Sequence, residues 1–378
     1  MGSYLFLALT SAQTQYFQKI IESAPGLQGQ IITPAQLPAP NWSAINSVMA
    51  RIDWEPLVKQ LCLKRRATGQ YQGIFYRLKA RFNLFILALR LQALLQQVAP
   101  KALIVWNGSQ PIFQLLKALA PEDIPRFYFE QGVLPGTTTL DTQGVHYQNS
   151  VPRDPAFYYQ YAQDRSLEES PNSSPQKPNK ATKLPEHYVF IPFQEDLDSQ
   201  MLEYSPWVAN MRALFSLGEQ LAAETGWAVV FKDPPANQGQ YPDLYRRTHA
   251  QVLFANEYST EELIQASLFM VTVNAATAVE GLHLNRPVVT LGQAFFNIPG
   301  VVMQAKSKED LIRLANIWPH WTLKDELRRS FLHYLQYQYA VPGRWQDAEP
   351  NHLTEVINRL NRSSWSPVSS NTGISLQS

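Results

Sequence analysis

The sequence predicts an α/β protein built from two Rossmann-like halves. Short apolar runs alternate with helical patterns along most of the 378 residues, which favours layered helices on a mostly parallel sheet. The alternation is interrupted by 169-ESPNSSPQKPNKATKLP-185, a stretch rich in Pro, Ser, Asn and Lys without apolar periodicity, which reads as a linker. With 45% hydrophobic residues, a chain of this length has enough apolar side chains for two cores.

In the first half, Tyr4 to Thr10 reads as a strand and Gln13 to Ser23 as its helix. Glu55 to Val98 reads as one or two long helices broken near Gly69 and Gly73. Ala102 to Trp106 is the next strand, running into 107-NGSQP-111, a turn and helix start. A helix over Ile112 to Ala120 and a strand over Arg126 to Glu130 follow. Beyond the linker, strands are expected at 187-HYVFIPF-193, 227-WAVVFK-232, 251-QVLF-254, 268-LFMVTV-273 and 287-PVVTL-291. Helices are expected from Trp207 to Thr225, Thr260 to Ala266 and Thr277 to His283, and again over Leu323 to Leu360. The expected organisation is therefore a first domain over 1–164, a linker over 165–186, a second domain over 187–322, C-terminal helices over 323–362 and a polar, disordered tail over 363–378.

Composition excludes several classes. A formal net charge of +1 argues against a nucleic-acid binder driven by bulk charge. The one cysteine, Cys62, leaves no internal disulfide framework and no cysteine-based zinc site. No apolar run reaches the length of a spanning helix, and MGSYLFLALTSAQ lacks the basic start of a signal peptide, so a cytoplasmic address is expected. No G-x-G-x-x-G follows the first strand and no G-x-x-x-x-G-K-[ST] occurs, which gives little support to a dinucleotide enzyme or P-loop NTPase.

Open α/β sheets bind ligands beyond the carboxyl ends of their strands, so two such halves are expected to face one another across a cleft lined by strand-end residues. The first half offers Asn107, Gly108 and Ser109, then Glu130, Gly132 and Asp141; the second offers Gln194, Lys232, Asp233, Asn274, Thr277 and Glu280. Acids on one side, with amides, a lysine and a helix start on the other, suit transfer of a group from a nucleotide donor to an acceptor.

The quoted stretches 106-WNG-108, 130-EQG-132 and 139-TLDTQGVHYQNSVPRDPAFY-158 resemble the capsule polysaccharide biosynthesis family, whose characterised members are β-Kdo transferases of Gram-negative capsule assembly. So do 191-IPFQEDLDSQ-200 and 271-VTVNAATAVEGLHLNRPVVTLGQAFFNIPG-300. The resemblance implies a GT-B-like fold, CMP-Kdo as donor, and a lipid or lipid-linked sugar as acceptor. A leaving CMP carries one phosphate and no diphosphate for a metal to bridge, so neither metal nor cofactor is required. The phosphate needs donors instead: the helix that starts after Asn274, Lys232 and Thr277 are the candidates, with Gln194 beside them and Glu280 for the ribose.

Glu130, where its strand runs out, is placed to act as general base or nucleophile, with Asp141 as the rival. Net retention from CMP-β-Kdo invites double displacement through a carboxylate adduct. Asn107, Gly108, Gly132 and the hydroxyls of Thr137 to Thr139, Thr138 among them, are the acceptor candidates. Each has a plainer alternative: Glu130 as a surface acid, Asp141 as a turn former, Lys232 and Asp233 as a solvated pair, and His146 and His283 as structural residues. The chain departs from related transferases where 232-KDPP-235 puts Pro234 in place of a histidine, and where Ala275 and Ala276 replace hydroxylated residues. These departures keep two alternatives open: a transferase using another nucleotide sugar, and a non-catalytic scaffold of polysaccharide export that binds glycolipid or nucleotide sugar.

Segment 59–97 interleaves Arg77, Lys79, Arg81 and other cations with Phe75, Phe82 and Leu84. A basic amphipathic helix of this kind can lie on an anionic membrane surface, here the inner face of the inner membrane; the alternative is an ordinary helix with its apolar face in the core.

Overall fold

The computed structural model describes residues 3–67, 70, 72–163, 165, 167, 182–234 and 239–362. Most of the stretch read as a linker, and all of the polar tail over 363–378, lie outside them. The chain divides into two compact units, residues 1–151 with 339–378, and residues 152–338.

The first unit holds strands β1 (Tyr4–Leu7), β2 (Gly29–Ile32), β3 (Ala102–Trp106), β4 (Arg126–Gln131) and β5 (Thr137–Asp141), with helices α1 (Ser11–Glu22), α2 (Ile45–Arg51), α3 (Trp54–Ala67), α4 (Ile74–Val98) and α5 (Pro111–Leu119). The second holds α6 (Pro155–Ala162), β6 (Tyr188–Pro192), α7 (Ser199–Tyr204), α8 (Met211–Thr225), β7 (Ala228–Lys232), α9 (Pro242–Tyr245), β8 (Val252–Phe254), α10 (Thr260–Ala266), β9 (Phe269–Thr272), α11 (Thr277–His283), β10 (Val288–Thr290), β11 (Met303–Gln304), α12 (Lys308–Asn316) and α13 (Asp325–Tyr334). The chain then returns to the first unit with β12 (Val341–Pro342) and α14 (Pro350–Asn361).

Local chemistry sets the helix ends. Thr10 accepts from the Gln13 N–H to start α1, Ser259 and Glu262 form a capping box on α10, and Gly226, at φ +75°, closes α8 in the left-handed region that glycine tolerates.

In the first sheet the strand order is β12-β5-β4-β3-β1-β2, with β12 and β5 antiparallel to their neighbours and the rest parallel. Alternate side chains of these strands go to opposite faces, as a pleated sheet requires. Leu5, Leu7, Leu103, Val105 and Tyr128 pack with α3, α4 and α5, while Phe6, Ala8, Ile104, Phe127 and Phe129 pack with α1 and α14. Each such aromatic or aliphatic side chain contributes roughly 1.5–3 kcal/mol when taken fully out of water. The second sheet is parallel throughout, in the order β11-β10-β9-β6-β7-β8. Counted within its own unit, that is the doubly wound nucleotide-binding order, and its switch point lies between β6 and β9. Two Rossmann-like units of the kind that make up a GT-B protein are thus present, as expected.

The units divide elsewhere than the sequence led us to expect. Helix α6, expected in the first domain, belongs to the second because Phe157, Tyr158 and Tyr161 pack edge-on against Phe331 and Tyr334 of α13, and Ser330 donates to the Tyr158 carbonyl at 2.6 Å. The C-terminal helices are split in turn. α14 crosses back because Tyr16 on α1 hydrogen-bonds the His352 ring at 2.7 Å, and because the buried Arg359 guanidinium donates to the carbonyls of Tyr339 and Ala340. The long segment after Glu55 is two helices, as expected. The basic stripe is not one face, however: Leu84 is buried and Arg90 donates to the carbonyls of Leu37 and Pro38, so this part of α4 is core, whereas Phe75 is 84% exposed and Phe82 61%. Among the described residues no helix is long and apolar enough to cross a membrane.

Candidate functional site

At the carboxyl edge of the first sheet, the end of β3 and the end of β4 bring Asn107 and Glu130 together. Asn107 adopts φ +65° and Gly108 φ +83°, a sharp turn that lays Gly108 against the Tyr128 ring, where a Cβ would come within 2.7 Å of ring carbon. Gly108 is therefore a turn requirement beneath the site. The Ser109 N–H donates to Asn107 Oδ1 at 3.1 Å, which fixes the amide so that Nδ2 faces the acid. From there Nδ2 donates to Glu130 Oε2 at 2.5 Å and lies 3.1 Å from His146 Nε2. The Gln131 N–H holds the other carboxylate oxygen at 2.8 Å, and His146 Nε2 stands 4.0 Å from Glu130 Oε2. Glu130 and His146 each keep about a fifth of their side-chain surface in contact with solvent, so a small ligand can reach both. Since the amide nitrogen is the donor, His146 Nε2 is the acceptor in this contact.

His146 also has φ +55°, an uncommon conformation for a histidine. Asp141 provides the loop that imposes it. This carboxylate is completely buried; one oxygen accepts from the N–H groups of Gln143 and Gly144, the other from the N–H and hydroxyl of Ser150 at 2.8 Å. Its lone pairs are occupied and no substrate can approach it, so the turn-forming alternative holds and the nucleophile role does not. Asp141 acts through the loop that presents His146.

The threonine-rich segment after Gly132 is strand β5, not an open loop. Thr138 is fully buried and donates to the Gly343 carbonyl at 2.9 Å; Thr137 and Thr139 donate to Leu134 and Gln131. Gly132 is needed for the hairpin itself, because a Cβ there would sit 2.0 Å from the Thr137 hydroxyl oxygen. Thr138 and Gly132 are therefore removed as acceptor contacts. On the other face of the sheet, with Phe129 and Gln131, stand two aromatics that the sequence did not single out. Trp345 lies 4.6 Å from Trp106, ring to ring, and donates to the Gln131 side chain at 3.2 Å. Trp106 is adjacent in sequence to Asn107; Trp345 arrives only through the return of β12, which no local signal announces.

In the second unit, Gln194 follows β6 and Asn274 follows β9, on either side of the switch point. They bind each other: Gln194 donates to Asn274 Oδ1 at 2.9 Å and accepts from the Asn274 N–H, while the Asn274 amide donates to the carbonyls of Gln200 and Tyr204. Both are buried, and they tie the strand ends to α7 rather than offering open donors. Lys232 is likewise engaged: its ammonium donates to the carbonyls of Asn256 at 2.9 Å and Tyr258 at 2.6 Å. Asp233 accepts from the Tyr245 hydroxyl at 2.5 Å, and burial raises its pKa. Neither residue is the solvated pair considered as the plainer alternative, and Lys232 does not present a free charge. Thr277 opens α11 half-buried, with Ala276 ahead of it making no side-chain cap. Glu280 lies on the same helix, its pKa raised by burial and by the nearby Glu261. Pro234 follows Asp233 and supplies no donor. Among the described residues no group of three or more His, Cys, Asp or Glu is arranged to hold a metal ion.

The sequence can now be set beside its relatives. Residues 172–341 match the family model described as capsule polysaccharide biosynthesis protein. Protein FixF of Sinorhizobium fredii is 33% identical over 262 residues, 68% of this chain and 64% of its own length. Capsule polysaccharide modification protein LipB of Neisseria meningitidis is 27% identical over 171 residues, 41% of this chain and 37% of LipB. The chain thus spans less than two thirds of either relative. Among solved structures, the beta Kdo 2,7 transferase of Thermosulfurimonas dismutans KpsC aligns over 87% of this chain and 89% of its own, at 11% identity and a TM-score of 0.49. As the quoted motifs implied, residues 172–341 are similar to the capsule polysaccharide biosynthesis family.

Proposed function

We propose that the protein is a glycosyltransferase of surface polysaccharide assembly, transferring Kdo from CMP-Kdo to a lipid or lipid-linked sugar with retention. The observation that carries the reading is the Glu130, Asn107 and His146 constellation at the carboxyl edge of the first sheet. In the first step Glu130 attacks the anomeric carbon, the bond to the CMP oxygen breaks, and its electron pair leaves with the phosphate. Asn107 orients the attacking carboxylate. In the second step the acceptor hydroxyl displaces Glu130, and its proton needs a base other than the esterified acid; His146 Nε2 takes it. The departing charge is a monophosphate, which hydrogen-bond donors can stabilise without a bridging metal. Within the second unit Gln194, Asn274 and Lys232 are occupied internally, which leaves Thr277 and Glu280 as the side chains of the expected donor set that are free of such bonds.

The reading is tested by incubating the purified protein with CMP-Kdo and candidate lipids and following CMP release. CMP should also protect it against heat more than UMP, UDP or GDP, and EDTA should not abolish that protection. A preference for a diphosphate nucleotide points to another donor class, and no nucleotide protection at all to a scaffold.

The exposed start of α4 supports a place on an anionic membrane. Ile74, Phe75, Leu78 and Phe82 are 59–84% exposed, with Arg77, Lys79 and Arg81 among them. Arg77 and Arg81 stand near Glu55, on the surface, where such pairs are weak and exchange readily with lipid phosphates.

A further inference from the structure

The geometry points to a second binding site in the unit formed by residues 152–338, a cavity of about 270 Å³ that takes an acidic sugar residue. It lies at the amino edge of the second sheet. Its walls include Asn285 and Arg286, in the turn between α11 and β10, and Trp318 and Trp321, which pack on Phe269 at the start of β9. Gln194, Asn274 and Thr277 stand at the opposite, carboxyl edge of the same sheet, so this cavity is distinct from the place assigned to the nucleotide.

Charge in the cavity is unbalanced. Arg328 donates to Asp325 and to the Leu282 carbonyl, and Asp325 also binds Arg329, so the one acid of the lining is already spoken for. Arg286 and Lys324 remain. Neither makes an ion pair or a side-chain hydrogen bond with a described residue, although Lys324 sits 5.5 Å over the Tyr159 ring. The Arg286 Nε is buried without a partner, and burial lowers the guanidinium pKa. The rest of the half-buried guanidinium has no acceptor among the described residues, and an arriving carboxylate or phosphate can accept from its terminal N–H groups. The rest of the lining is apolar: Trp318, Trp321, Pro287 and Leu323 offer surface for the C–H face of a pyranose. Both the volume and the chemistry suit one carboxylated or phosphorylated sugar unit, free or within a chain, and the space is too small for a nucleotide sugar. This inference stands independently of the transfer reaction.

The test is calorimetric titration of the full chain with sodium glucuronate, with glucose and inorganic phosphate as controls. Glucuronate should bind, glucose should not, and phosphate should bind more weakly. Arg286→Gln should weaken glucuronate binding by about tenfold or more, as expected for loss of a charge-assisted hydrogen bond. Lys324→Gln, at an exposed position where folding is not at stake, should weaken it several-fold. CMP-dependent thermal protection should be unchanged in both variants. No glucuronate binding, glucose binding equally well, or glucuronate binding untouched by either substitution overturns the inference; phosphate matching glucuronate overturns the sugar part of it.

Discussion

Asn107 donates one hydrogen bond to the Glu130 carboxylate at 2.5 Å and holds the same nitrogen 3.1 Å from His146 Nε2, so a single amide positions both an acid and a base. Asn107→Gly suits the left-handed backbone at this position while deleting the amide. It should lower kcat roughly 10- to 100-fold, the worth of one hydrogen bond to a charged group, with little change in melting temperature. Steady-state kinetics beside a thermal melt checks this, and a fall in stability without a fall in kcat contradicts it.

If His146 deprotonates the acceptor, its removal slows the second step more than the first. His146→Asn, a residue that tolerates positive φ, should let the glycosyl adduct on Glu130 accumulate. Intact-mass spectrometry after mixing with CMP-Kdo should then reveal protein heavier by one sugar. A variant that turns over at the native rate removes His146 from the mechanism.

Asp141 is predicted to matter for stability. Asp141→Asn places an amide donor where the Ser150 N–H and hydroxyl now find an acceptor, leaving a buried group unsatisfied, and should cost about 2–3 kcal/mol of unfolding free energy. Denaturant unfolding measures it. A stable variant with no activity would return Asp141 to the list of reacting acids.

His352 predicts a pH dependence. Burial lowers its pKa below the usual 6.5, and its ring binds the Tyr16 hydroxyl and the Pro342 carbonyl as a neutral group. Below pH 6.5 the unfolded chain therefore binds more protons at this position than the folded one. Its contribution to stability is full above that pH and is lost as pH falls. Melting temperature should drop between about pH 7.5 and 5.5, with a shallower drop in His352→Gln; parallel curves for the two proteins contradict the assignment.

For the surface of α4, replacing Arg77, Lys79 and Arg81 together with glutamine should release the protein from phosphatidylglycerol vesicles at low salt, at about 1 kcal/mol per cation. Thermal protection by CMP should be retained. Native protein that fails to sediment with such vesicles sinks the membrane reading.

Much of the fold was legible because buried strands and capped helices carry local signals: 188-YVFIP-192 is buried at every position, and the Ser259 and Glu262 box marks its helix. What escaped depends on distant chain. The threonines of β5 read as a loop because nothing nearby reveals the antiparallel partners β4 and β12 that bury them. Glu130 and Asn107 could be found because each ends a recognisable strand. His146 was passed over because its role rests on a positive-φ turn organised by Asp141, and Trp345 because some 200 residues separate it from Gln131. Gln194, Asn274 and Lys232 were correctly located at strand ends, yet their side chains serve the unit's own backbone. Position along a sheet is readable from sequence; the direction a polar side chain takes is decided by which carbonyls happen to be left without donors.

The central claim is that Glu130 is the reacting carboxylate. Its most direct test is Glu130→Gln, which keeps the shape of the side chain and removes only the charge, assayed for CMP release from CMP-Kdo with a lipid acceptor. The account predicts a loss of about 10³-fold or more, with a native melting temperature and undiminished stabilisation by CMP. A Glu130→Gln protein that releases CMP and transfers sugar at the native rate contradicts it.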